Sequence, residues 1–271
     1  MTINTLIMKV INLVMSGVFV VFFLEKKKKK GDQNKTNEKE LNVKIMEEPT
    51  GDNLLTEAEK ADGWKLLFDG KSTDDWRGYN LDSFPAKGWE VVDGTLHVIG
   101  SGKGEAGGGG DIITEKKYSN FELELEWKVS EGGNSGIFYL AQEKPDQPIW
   151  KSAPEMQILD NERHPDAKLG IDGNRAAGAL YDLIPGKFEA VKPAGEWNKV
   201  KIMVYRGTVV HWVNGEQVLE YHLWTDDWKN MVLNSKFKEY DDFLNTAQEG
   251  FIGLQDHGDD VWFKNIRIKE L

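Results

Sequence analysis

The chain of 271 residues contains no cysteine. Disulfides, thiolate zinc sites and cysteine nucleophiles are therefore excluded. Basic charge is also scarce: 34 Lys and Arg stand against 45 Asp and Glu, a formal charge of −11. Such a chain is soluble and poorly suited to nucleic acid. No sequence unit repeats at a fixed period, which argues against a propeller or solenoid. The glycine-rich run at 100–110 lacks the Gly-Lys-Ser/Thr ending of a phosphate loop, and no amphipathic helix follows it. It reads as a flexible loop at the rim of a cleft.

Long apolar runs are confined to the N-terminus. Residues 10–24 are apolar apart from Asn12 and Ser16, with Lys9 in front. The run is short of the about 20 residues a spanning helix needs and resembles a signal-peptide core. No small-x-small cleavage site follows, and Lys26–Lys30 would hold the downstream chain on the cytoplasmic side of an uncleaved anchor. Residues 1–25 are thus expected to be a signal peptide or membrane anchor, and 26–62 a disordered polar linker. Residues 63–271 form the globular domain. Export to the periplasm or cell envelope is expected, with attachment through the N-terminal segment as the alternative. The cysteine of a bacterial lipoprotein signal is missing.

What is abundant is strand pattern. Residues 121–129 alternate without error, apolar at odd and charged at even positions, as a half-buried antiparallel strand does. Asn214-Gly215 and Asp93-Gly94 mark tight hairpins. Further strands are expected at 64–68, 88–92, 95–99, 135–141, 178–184, 197–205, 251–256 and 261–269, with short helices at 54–60, capped by Thr56, and near 240–247. So many short strands predict an all-β, two-sheet antiparallel jelly-roll sandwich.

The strand at 154–160, "PEMQILD", carries the strongest functional signal. Alternation puts Glu155 and Gln157 on one face and Met156 and Ile158 on the other. A bulge at Leu159 would bring Asp160 beside the first pair. Acids and an amide make poor core and a good sugar-binding or acid–base surface. Other polar clusters are Arg163-His164, Gly133-Asn134-Ser135, Tyr181-Asp182 and Gln255-Asp256-His257. Carboxylates with His164 or His257 could hold a divalent cation, although no fixed-spacing metal motif such as H-E-x-x-H is present. Ten Trp offer either core or sugar-stacking surfaces.

In order along the chain, "GWKLLFDGKSTDDWRG", "GWEVVDGTLHV", "NFELELEWKVSEGGNSGIFYL", "PEMQILDN", "GALYDLI", "EWNKVKIMV", "VVHWVNGEQV" and "GFIGLQDHGDDVWFKNIRIKEL" resemble the 3-keto-disaccharide hydrolase domain family over residues 63–271. The resemblance implies a concanavalin A-like lectin/glucanase fold. It also implies cleavage of glycosides whose C3 hydroxyl is already a ketone: proton removal at C2, elimination at C1, then hydration. Such a site needs a base, an acid and donors for the enolate oxygen. Glu155 and His257 are the expected acid–base pair, with Asp160 or His164 assisting. Gln157, Gln255, Asn134, Arg163 and Tyr181 are expected to hold the carbohydrate.

Two other readings compete. The spacing Glu155-x-Gln157-x-x-Asp160 is similar to the Glu-x-Asp-x-x-Glu strand of laminarinase-like retaining glucanases, whose carboxyls stand about 5–5.5 Å apart. Here an amide replaces the middle acid. A non-catalytic, lectin-like carbohydrate-binding module fits the aromatic content equally well.

Overall fold

The computed structural model describes residues 51–271, and by backbone alone the strands β1 (Val18–Phe23) and β2 (Asn42–Glu47). These two pair antiparallel in a unit separate from 51–271. The rest of the expected signal segment, and of the linker up to residue 50, lies outside the described residues. No helix among the described residues is long and apolar enough to cross a membrane.

The main unit contains β3 (Trp64–Leu66), β4 (Trp76–Gly78), β5 (Trp89–Val92), β6 (Thr95–Val98), β7 (Ile112–Thr114), β8 (Phe121–Val129) and β9 (Asn134–Ala141). It continues with β10 (Glu155–Leu159), β11 (Asn198–Tyr205), β12 (Thr208–Val213), β13 (Glu216–His222), β14 (Phe251–Leu254) and β15 (Val261–Glu270). Three short helices join them: α1 (Glu57–Ala61), α2 (Asp226–Leu233) and α3 (Asp241–Leu244). The strands form an antiparallel two-sheet sandwich of the jelly-roll class. One sheet has the order β10-β9-β14-β7-β4; the other runs β13-β12-β11-β8-β15-β6-β5, with β3 added on β15.

The alternation at 121–129 works as read. Phe121, Leu123, Leu125, Trp127 and Val129 are fully buried between the sheets with Ile137, Tyr139, Met156 and Ile158. Each contributes about 1.5–3 kcal/mol by leaving water. The charged partners face outward, where Glu124 pairs with Arg267 (2.6 Å) and Lys199 (3.3 Å). Lysines lie over Trp212, Trp262 and Trp197 on the same sheet. That outer face is a charged lattice.

Three expectations need correction, and one helix was missed. Residues 178–184 form no strand. Gly178 and Asp182 have φ of +86° and +61°, which break the extension, and the segment instead docks on the edge of β10. Strand β10 pairs with β9 in unbroken register, without a bulge at Leu159. The compact unit begins at Gly51, not 63. Asn53 exchanges backbone-to-amide bonds with Asn265 (2.6 and 2.8 Å), and Thr56 closes a capping box on α1. Helix α2 was not foreseen; its signal was Thr225 ahead of Asp226-Asp227, a cap followed by acids at the helix start.

Candidate active site

A pocket opens on the outer face of the five-stranded sheet. Glu155 and Gln157 from β10, Asn134 from β9 and Gln255 just after β14 line it. Their common face follows from the strand period. Gly136 makes the room: a Cβ there would collide with the Glu155 carboxyl. The 178–181 segment covers the free edge of β10 through Gln157 N–H to Ala179 O (3.1 Å), Gly178 N–H to Gln157 O (2.8 Å) and Tyr181 N–H to Glu155 O (3.0 Å). This edge coverage carries Tyr181 to the pocket wall.

Glu155 is 6% exposed, and its carboxyl makes no hydrogen bond to another described residue. Burial pushes its pKa up to about 8; Lys236 opposes the rise, while Asp111, Glu105 and Asp166 add to it. It therefore holds its proton at neutral pH. The side-chain oxygens of Asn134 and Gln255 are also buried without a partner. Orphaned buried acceptors are rare and costly, so two around one pocket mark where a ligand's donors belong. Gln157 spends its oxygen on the Ile158 N–H (3.1 Å).

His257 completes this wall, and the His164 ring lies 6.3 Å from it, edge to face. Burial, then repulsion between the two imidazoles, lowers the His164 pKa. His164 also accepts the Asp166 N–H (3.2 Å), capping a short 3-10 turn. Asp259, which receives the Asn134 N–H (3.0 Å), lies near both rings; burial raises its pKa, and the two histidines offset part of the rise.

Three expected site residues are absent from the pocket lining: His164, which touches it only through His257, Asp160 and Arg163. Asp160 accepts from the N–H groups of Gly132 (2.7 Å), Glu162 (3.0 Å) and Arg163 (3.3 Å) and from the Arg163 guanidinium (3.4 Å). Burial would raise its pKa, but these donors outweigh it and hold the group ionised. It is a loop clamp outside the pocket lining. Arg163 sits among Glu131, Asp160 and Glu162 and does not reach the pocket.

Four lining residues escaped the sequence: Glu105, Trp150, Lys236 and Phe237. Lys236 has no ion pair among the described residues; its ammonium lies 4.0 Å from the Tyr181 ring centre, and burial lowers its pKa. Glu105 arrives on the glycine-rich loop and accepts the Trp150 indole N–H. That loop is a tightly bound anion cradle occupied from within. Gly108, Gly109 and Gly110 donate to one Asp256 oxygen (2.9, 2.7 and 3.0 Å), and Gly258 donates to the other (2.9 Å). The Asp256 N–H in turn bonds Asp111, whose pKa burial raises to about 7. No group of three or more His, Asp or Glu placed to hold a metal ion occurs among the described residues.

Comparison with known proteins gives this geometry a context. Residues 63–269 match the 3-keto-alpha-glucoside-1,2-lyase-like domain. A protein of Bacteroides thetaiotaomicron named 3-keto-disaccharide hydrolase is 55% identical over 231 residues, 78% of this chain and 79% of that one. Among solved structures, a candidate glycosyl hydrolase from Parabacteroides distasonis is 35% identical with a TM-score of 0.72, covering 82% of this chain and 100% of its own. A second from the same organism is 28% identical with a TM-score of 0.59, covering 77% of this chain and 99% of its own.

Proposed function

We propose, since the chain belongs to the 3-keto-alpha-glucoside-1,2-lyase-like domain family, that it is a hydrolase acting on glycosidic bonds of 3-keto-glycosides. The observation that carries this reading is Glu155, a buried carboxyl without a partner that lines one pocket with two unpaired amide oxygens. A carboxyl kept neutral at pH 7 suits protonation of a leaving oxygen.

The C3 ketone acidifies the C2 hydrogen. His257 takes that proton, and the electron pair forms the enolate. The Lys236 ammonium, on the same pocket wall, offsets the charge on the enolate oxygen. As the enolate collapses, the C1–O bond breaks and the departing oxygen takes the Glu155 proton. Glu155, now ionised, draws a proton from water as its oxygen bonds C1, and protonated His257 returns its proton to C2. Both groups end as they began, and the net change is hydrolysis. Asn134, Gln157 and Gln255 hold sugar hydroxyls. Export to the cell envelope belongs to the same reading and rests on the apolar segment at 10–24; fractionation of cells producing the full chain checks it.

The test is turnover of a 3-keto-disaccharide and its unoxidised parent, each with and without a chelator. Cleavage of the keto form alone is expected. Cleavage of the parent would point to direct glycosidase chemistry, and binding without cleavage of either would leave a carbohydrate-binding module. Loss of turnover with chelator would add a metal to the site.

A further inference from the structure

The pocket around Glu155 has a volume of about 120 Å³. Sites that enclose a whole small-molecule ligand span roughly 300–1,000 Å³. A glycoside of two rings therefore has its second half elsewhere. A second cleft of about 700 Å³ shares the Lys236 side chain with the pocket. The wall between them is a chain of contacts: Tyr181 donates to Asp166 (2.8 Å), Arg175 donates to the other Asp166 oxygen (2.8 Å), and Arg175 also pairs with Asp182. Arg175 and Asp182 line the cleft, as Tyr181 lines the pocket.

We propose that this cleft is the leaving-group subsite and takes the second, uncharged sugar ring of the 3-keto-disaccharide. The inference rests on the function proposed above and extends it to the other half of the substrate. The cleft's chemistry favours a neutral polyol. Arg175 is spent on its two carboxylates, which leaves amides, Ser235 and one charge of each sign, Asp172 and the shared lysine, as polar groups. Ile171, Leu183 and Met231 supply apolar surface for the carbon face of a ring. Ile171 is 72% exposed, with no packing role that would require a large apolar side chain.

The experiment compares a 3-keto-disaccharide with the 3-keto methyl glycoside of the same reacting sugar. Ile171→Asp and Asn234→Ala are introduced into the full chain. The expected result is a rise in KM of about tenfold for the disaccharide, with the methyl glycoside unchanged. Equal effects on both substrates, or none on either, would overturn the subsite. Hydrogen exchange on the wild-type chain with the unoxidised disaccharide separates the two claims. Protection of 169–175 and 230–236 by the disaccharide, and not by its methyl glycoside, supports the subsite even if no keto substrate turns over, an outcome that would sink only the proposed reaction. Absence of that protection overturns the subsite.

Discussion

Glu155, on a strand, and Asp256, just beyond one of the same sheet, are two buried carboxyl groups that the protein treats in opposite ways. Asp256 receives four backbone N–H donors and is fully enclosed. Glu155 receives none and faces a cavity. Burying a charge is tolerable only when hydrogen bonds replace water. Asp256 therefore stabilises the fold, whereas Glu155 weakens it above the pH at which an unfolded glutamate ionises. Unmet hydrogen-bonding capacity, rather than acidity or burial, separates the group proposed to react from the structural one. Asp160, with its saturated oxygens, falls on the structural side.

Substitution can break this contrast. Glu155→Gln is expected to lower kcat about 10²–10⁴-fold. Its thermal unfolding temperature at pH 8 should equal or exceed wild type, and a drop there would show that Glu155 is structural after all. Asp256→Ala is expected to cost about 3–5 kcal/mol in urea unfolding, because it leaves buried donors unpaired. Wild-type stability in that variant would remove the distinction.

Two smaller effects sharpen it. Between the ordinary glutamate value of 4.5 and about 8, native Glu155 keeps a proton that the unfolded chain has released. Its contribution to stability consequently falls as pH rises through that window, and Glu155→Gln should flatten the slope. Activity that depends on the protonated form declines above about pH 8, which a pH–rate profile reads directly. Gln255→Met removes an unpaired oxygen at similar volume. Stability should hold within about 1 kcal/mol, while KM rises several-fold; an unchanged KM would mean that no substrate donor meets Gln255.

Local rules in the sequence were enough for the sheet face and its two central residues. Strict alternation at 121–129 set the buried side of a strand, and the same period put Glu155 and Gln157 together. The Asn214-Gly215 turn has positive φ at both residues, as its hairpin requires. What failed was long-range. Lys236 and Glu105 meet Glu155 only through folded loops, and neither sits in a periodic pattern. Asp160 carried the right chemistry at a suggestive spacing, but backbone donors from three different residues claim it. The run at 178–184 is apolar enough for a strand, and only its backbone angles show why it turns. The glycine-rich loop did carry anion-binding geometry, and its anion was a side chain of the same protein.

The reciprocal amide bonds between Asn53 and Asn265 have a mechanical consequence. They fasten the first residues of the domain to its last strand, and β15 lies between β8 and β6 in the larger sheet. Tension arriving through the N-terminal segment would load β15 in shear along its ladder with β8, rather than peel an edge strand away. The pocket lies on the other sheet. A pull on residues 51–53 would thus reach the pocket with little distortion, and trimming the chain at residue 63 would cut away the fastening.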